Sequence, residues 1–152
     1  MPDEGRTVRT ARADELAALE ALYLHLNPSR PVLAPDVARR ILAEILARPD
    51  MRLFVVELDG ALVASCMLVT APNLMGGGRP YALLENVVTH GDHRRRGHGR
   101  AVVEAALDHA WGLGSRQVYL LTSRTDPAVR ALYRACGFRP GRKAGYVAEA
   151  PD

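Results

Sequence analysis

Between residues 83 and 102 the chain gathers the groups that a multiply charged anion would need. An apolar run, Leu83-Leu84-Glu85-Asn86-Val87-Val88-Thr89, passes into His90-Gly91-Asp92-His93-Arg94-Arg95-Arg96-Gly97-His98-Gly99-Arg100 and at once into the apolar-periodic Ala101-Val102. A strand, a loop with two glycines one residue apart and a helix start together make an anion site. The free N–H groups of the first helical turn and the positive end of the helix dipole face the ligand. Gly97 and Gly99 let a phosphate approach the backbone, and Arg94, Arg95, Arg96 and Arg100 add charge for a ligand with several negative groups. His98 lies between the glycines and is read as contributing its N–H rather than its imidazole.

Two phosphate-binding patterns are excluded. No Gly-Lys-Ser/Thr follows at the spacing of a nucleoside-triphosphate loop. A dinucleotide fingerprint begun at Gly97 meets Val102 where Gly or Ala belongs, and the next apolar run, Gln117 to Thr122, ends without an acid for a ribose.

The elements that must position this loop are legible from periodicity. Val8 to Ala11 reads as a short strand. Asp14 offers a helix cap, and Leu16, Leu19, Tyr23 and Leu26 fall on one helical face, stopped by Asn27-Pro28. A second helix follows Pro35-Asp36 with Val37, Ile41, Leu42, Ile45 and Leu46 as its stripe, closed by Arg48-Pro49-Asp50. Leu53–Leu58 and Leu62–Val69 flank Asp59-Gly60, a two-residue hairpin signal. Pro72 to Pro80 is a loop, and Tyr81 to Thr89 is a strand. A helix with Val102, Ala105, Ala106, His109, Ala110 and Leu113 inward ends at Gly112 and Gly114, and the strand Gln117–Thr122 comes next. Asp126-Pro127 opens a last helix lined by Val129, Leu132, Tyr133 and Cys136, with Gly137-Phe138 as a Schellman stop. Tyr146-Val147-Ala148 is expected to add an edge strand. The order predicts a mixed α/β sheet, antiparallel early and parallel late, covered by helices.

Composition sets the frame. The 152 residues predict one domain spanning 1–152, with 48% apolar residues and no run of the ~18 that a membrane helix needs. The charged first residues carry no signal-peptide core, which predicts a cytoplasmic protein without membrane association. Net charge is +3, with Lys143 the only lysine, and eight aromatic residues leave little for base stacking; both weigh against a nucleic-acid partner. Cys66 and Cys136 sit in apolar stretches and read as reduced and buried. The five histidines show no metal-ligand spacing, so no metal is expected.

Arg94-x-x-Gly97-x-Gly99 after an apolar strand resembles the pyrophosphate loop of the GNAT N-acetyltransferase superfamily. The run Asp126 to Phe138 is similar to that family's second hallmark, a helix ending in Leu-Tyr-x-x-x-Gly-Phe, here Leu132-Tyr133-Arg134-Ala135-Cys136-Gly137-Phe138. The two occur in order, separated by one helix and one strand. The resemblance implies a mostly antiparallel sheet of six to seven strands, about four helices and a splayed central strand pair. It implies transfer of acetyl from acetyl-CoA to a primary amine by direct attack, with no covalent cysteine intermediate.

In that family the strand corresponding to Leu83–Thr89 carries a bulge. The pantetheine arm lies along Val87, Val88 and Thr89, and the N–H near Val87 polarises the thioester carbonyl. Residues Arg94 to Arg100 would wrap the pyrophosphate, and Tyr133 would contact the cofactor and protonate the departing thiolate. A phenol near pKa 10 suits a thiolate near 8.5 to 9. Asp126 stands where the family usually has Asn; it caps a helix equally well, but its charge is less welcome beside the cofactor.

Glu85, a carboxylate in an apolar strand, must face a cleft or meet an arginine. Its functional reading is a general base acting through water, with burial lifting its pKa into a useful range. Asn86 alternates to the opposite face and is read as structural. Tyr23, His25, Asn27 and Arg30 border the region where such proteins take their acceptor. Two other readings stay open on the residues alone: a catalytically silent acyl-CoA-binding module, and a nucleic-acid-associated protein using the arginine cluster. Dimers are common in the resembled family, and the sequence leaves the oligomeric state and the acceptor open.

Overall fold

The fold begins from a hairpin whose turn is fixed by two residues. Asp59 (φ 49°) and Gly60 (φ 84°) both take positive φ, the requirement of a type I′ connection. They join β2 (Met51–Leu58) to β3 (Ala61–Ala71). With β1 (Arg6–Thr10), β4 (Tyr81–Thr89) and β5 (Val118–Tyr119) these strands form one sheet in the order β1-β2-β3-β4-β5. Each neighbouring pair among the first four is antiparallel, and β5 runs parallel to β4. This computed structural model describes residues 5–152; the charged residues 1–4 discussed above lie outside the described residues.

Four α-helices among the described residues cover both faces. α1 (Leu16–Leu26) and α2 (Pro35–Ala47) close one side over Ala11, Leu19, Leu42, Leu53 and Val55. α3 (His98–Gly112) closes the other through Val102, Val103, Ala106, Leu107 and Ala110 against Phe54, Val56, Cys66, Leu68 and Leu84. α4 (Pro127–Ala135) sits at the rim of this second core, which it reaches through the Cys136 and Phe138 that follow it. Because both faces are covered, the central strands are buried where they cross, over Leu53–Val56 and Val63–Cys66, and the one polar side chain there, Ser65, donates to Phe54 O at 2.9 Å. None of the helices among the described residues is long and apolar enough to cross a membrane.

Several sequence expectations need correcting. Among the described residues the sheet has five strands rather than six to seven. β5 stops at Tyr119 instead of reaching Thr122, because it pairs with β4 only at Ala82 and Leu83. Tyr146-Val147-Ala148 forms no edge strand; Tyr146 and Val147 are 92% and 75% exposed. A two-residue β5 offers too short an edge, and the tail instead touches it through Lys143, whose Nζ donates to the Tyr119 hydroxyl at 2.9 Å. The inner stripe of α3 includes Val103 and Leu107, while Leu113 is exposed. Ile41, expected on the α2 stripe, is also exposed, and Ala38 and Leu42 face the core.

The α1 entrance is also held differently. Asp14 does not cap. Glu15, at the end of a 3₁₀ turn (Ala13–Glu15), accepts the Arg12 N–H at 2.8 Å and is gripped by the Arg9 guanidinium. Arg9 also binds Glu57 across the β1–β2 ladder. The Arg9 hydrogen bonds hold the Glu15 carboxyl below its ordinary value of 4.5, against a burial effect of opposite sign. A lowered acid pKa stabilises the folded state above that ordinary value and loses the contribution as pH falls through the folded one. Glu15→Gln is therefore expected to cost about 1–2 kcal/mol at pH 7 and to flatten the acid limb of stability. Urea unfolding at several pH values between 3 and 7 reads both effects.

Candidate active site

The central feature is a change of hand in β4. Opposite Ser65–Met67 of β3, the ladder register jumps from Val88 to Glu85, one residue more on β4 than on β3. Asn86 absorbs the extra residue with φ 53° and is exposed. Asparagine tolerates this left-handed conformation better than the β-branched residues that follow it. The bulge replaces the simple alternation expected for Glu85 and Asn86. Before it, Ala82 and Leu84 face α3; after it, Val87 does, while Glu85 keeps to the α1/α2 side with its ladder partner Met67.

The same bulge redirects the backbone. The Ala82 N–H bonds toward the β5 side, to Gln117 O at 3.1 Å, and the His90 N–H bonds toward β3, to Val63 O at 2.8 Å. Alternation across the extra residue therefore turns the Val87 and Thr89 amides away from β3. Val88, between them, has Ser65 as its ladder partner and is buried. Since β5 leaves β4 after Leu83, no described strand ladders with that edge of β4 from Leu84 onward. The result is a wedge bounded by β4, the segment after Tyr119, and α4.

The loop at the end of β4 converges on the same wedge. A 3₁₀ turn (Gly91–His93) leads to Arg94, and Gly97 caps α3 with φ 80°. A Cβ on Gly97 would meet only Arg6 Nη1, at 3.8 Å, so glycine is needed there for conformation rather than for space. Gly99 is the reverse case: a Cβ would lie 3.1 Å from Thr89 Oγ1 and 3.5 Å from Leu132 Cδ2, so glycine lets α3 press against β4 and α4. Arg95 (φ 63°) and Arg96 are exposed. Arg100 is tied along its own helix to Glu104 Oε1 at 2.7 Å. The His98 ring is buried, edge-on to His93, which leaves its backbone as the part facing the loop. Asp126 caps α4, accepting the Ala128 N–H at 2.8 Å.

Tyr133 stands on the α4 side of the wedge, half-buried, with its ring edge-on to Phe138 at 5.8 Å. The Schellman closure places both: Phe138 N–H reaches Tyr133 O at 3.0 Å, and Gly137 (φ 91°) reaches Arg134 O at 3.0 Å. Burial lifts the Tyr133 phenol above its ordinary value of 10, with the Arg124 charge opposing and Glu85 adding to the rise. Glu85 is half-buried and makes no ion pair among the described residues.

Comparison with known proteins fits this geometry. The family model for the "Acetyltransferase (GNAT) family" matches residues 19–138, from α1 through the Tyr133 helix. The chain belongs to the GNAT family. A solved structure, "Putative acetyltransferase from Agrobacterium tumefaciens str. C58", is 41% identical, with TM-score 0.88 over 94% of this chain and 99% of that one. An aminoglycoside N-acetyltransferase solved with CoA shares the GNAT fold at 19% identity, TM-score 0.77, covering 95% and 94% of the two chains. The rat N-acetyltransferase family 8 member 3 is 46% identical over 48 residues, 32% of this chain and 21% of its own length.

Sequence reasoning missed how this GNAT chain fastens α1 over the wedge. The last turn of α1 leaves carbonyls without helical partners, and arginines from two different loops take them. Arg94 Nη2 donates to His25 O at 3.2 Å, and Arg124 Nη2 donates to Leu26 O at 2.9 Å. Arg94 also donates through Nε to Thr89 O at 3.3 Å, so much of its fork is spent on backbone. His25 Nδ1 accepts the Gly91 N–H at 3.1 Å, and its ring lies 4.1 Å from that of His90. His90 Nδ1 in turn accepts the Asp92 N–H at 3.2 Å. The only advance signal for Arg124 was a lone cation between an apolar strand and a capped helix, which names no partner.

Proposed function

We propose that this chain is an acetyl-CoA-dependent N-acetyltransferase acting on a primary amine by direct attack. The observation that carries the reading is the meeting of the open β4 edge, the Gly97-capped start of α3 and the Tyr133 phenol in one wedge. The residues present fit acetyl-CoA: Val87 and Thr89 offer backbone to an extended amide-bearing arm, and the first turn of α3 offers N–H groups to a pyrophosphate. When bound, acetyl-CoA supplies an acetyl group activated as a thioester.

The chain's own residues do the rest. The first-turn amides of α3, with Arg95 and Arg96 beside them, hold phosphate charge. The Val87 N–H donates to the thioester carbonyl oxygen as negative charge develops there. Tyr133, kept protonated by burial, donates its proton to the leaving sulfur. Glu85, on the α1/α2 side of the bulge, receives the proton of the attacking ammonium through a water. Neither cysteine is suited to a covalent step: burial pushes the Cys66 thiol up to about 12 and also raises Cys136.

Calorimetric titration of acetyl-CoA tests the cofactor half of this reading, and thiol release with an amine panel tests the transfer. Micromolar binding followed by amine-dependent release supports it; absence of binding by the folded chain defeats it. The role of Glu85 is tested separately. Glu85→Gln is expected to lower kcat/KM by about 10²-fold where the amine is protonated, and to recover toward wild type as alkali deprotonates it. A pH profile parallel to wild type would remove Glu85 as the base.

A further inference from the structure

The acceptor side of the wedge carries charges of both signs, and their arrangement selects a class of amine. α1 packs against β3 and β4, so its C-terminal half roofs the strand face on which Glu85 stands. Tyr23, on that helix, belongs to the same apolar cluster as Met67, the ladder partner of Glu85. Arg30 stacks on Tyr23, its guanidinium carbon 5.6 Å from the ring centroid. Three residues further along α1, or roughly 5 Å of helix rise, Leu26 O fixes Arg124. Neither guanidinium is paired with a carboxylate among the described residues. Arg94 adds a third positive group at the same helix end.

The end of α1 therefore carries fixed cations, and the strand face that α1 covers carries a carboxylate, Glu85, unpaired among the described residues. A polycationic acceptor would be repelled by the arginines, and a plain alkylamine would leave them without a counter-charge. An amine that carries its own anion satisfies both signs. Resting on the acetyltransferase reading above, we infer that the acceptor is of the α-amino-acid class, its ammonium facing Glu85 and its carboxylate held between Arg124 and Arg30. A guanidinium fork matches a carboxylate in two parallel hydrogen bonds, and Arg124 keeps N–H groups beyond the one given to Leu26.

The test compares acceptors that differ only in that anion. Leucine, phenylalanine, methionine, serine and glutamate are each assayed beside their α-carboxamides and decarboxylated amines, with acetyl-CoA binding measured in parallel. The expected result is a kcat/KM preference for an acid over its carboxamide of roughly tenfold or more in at least one pair. The preference should shrink toward parity in Arg124→Gln and Arg30→Gln while the acetyl-CoA Kd holds. Arg124→Gln retains a donor for Leu26 O, and Arg30→Gln leaves that cap untouched, so the pair separates charge from structure. Equal or better use of carboxamides or simple amines by the wild type overturns the inference. So does a preference that survives in both variants, or acetyl-CoA binding with no amino acid acetylated. A chain that binds no acetyl-CoA overturns the underlying reading as well.

Discussion

Gly97→Glu is expected to weaken acetyl-CoA binding by about 10²-fold or more while the chain stays folded. Two effects add. Gly97 holds φ at 80°, and an L side chain there costs on the order of 1–2 kcal/mol of strain at the cap of α3. The new carboxylate also stands at a helix start whose amides are proposed to hold a pyrophosphate, turning an attractive site into a repulsive one. The Cβ itself meets no clash, since among the described residues only Arg6 Nη1 lies near it, at 3.8 Å. Gly97→Ala separates the terms: it keeps the strain without the charge and should lose no more than about tenfold. Calorimetric titration of both variants, each checked by a thermal melt, reads the difference. Equal, small losses would mean that the loop does not carry phosphate.

Tyr133→Phe is expected to lower kcat by about 10²–10³-fold with the acetyl-CoA Kd nearly unchanged. Phenylalanine keeps the ring that packs edge-on to Phe138 at 5.8 Å and removes only the hydroxyl. Because burial raises the phenol above 10, the wild-type donor should stay protonated through neutral and mildly alkaline pH. The alkaline limb of kcat should therefore begin only near or above that ordinary value. Burst kinetics and the pH dependence of kcat check this. A kcat within twofold of wild type would assign the proton to another donor, and Tyr133 would then be a packing residue of the Schellman closure.

Much of the scaffold could be read from local chemistry. Asp59-Gly60 specifies its hairpin because only such residues accept two positive φ values in succession. Asp126-Pro127 and Gly137-Phe138 bracket α4 as their capping chemistry requires. The strand Tyr81–Thr89 has the bounds its apolar run indicates. The failures share a cause. Gln117–Thr122 has the composition of a strand, yet laddering needs a neighbour, and β4 turns away after Leu83. Tyr146–Ala148 fails for the same reason at the edge of that short strand. Asp14 caps nothing, because the turn before α1 is closed instead by Glu15 accepting the Arg12 N–H, with Arg9 holding the same carboxylate.

Local residue chemistry is enough to set the order of the parts along the chain. A strand feeds a glycine–arginine loop, the loop opens a helix, and a second helix carries Tyr133 at a set distance before Gly137. Those are local matters, settled by φ preferences, caps and apolar period. What these parts face depends on long-range packing. The bulge at Asn86 divides Val87 from Glu85, because one extra residue inverts the alternation of a strand. The end of α1 became the roof of the wedge because Arg94 and Arg124, 69 and 98 residues from their partners in the chain, found its unpaired carbonyls. Helix-end carbonyls can be satisfied by any donor the fold brings near, so no local pattern announces which one will.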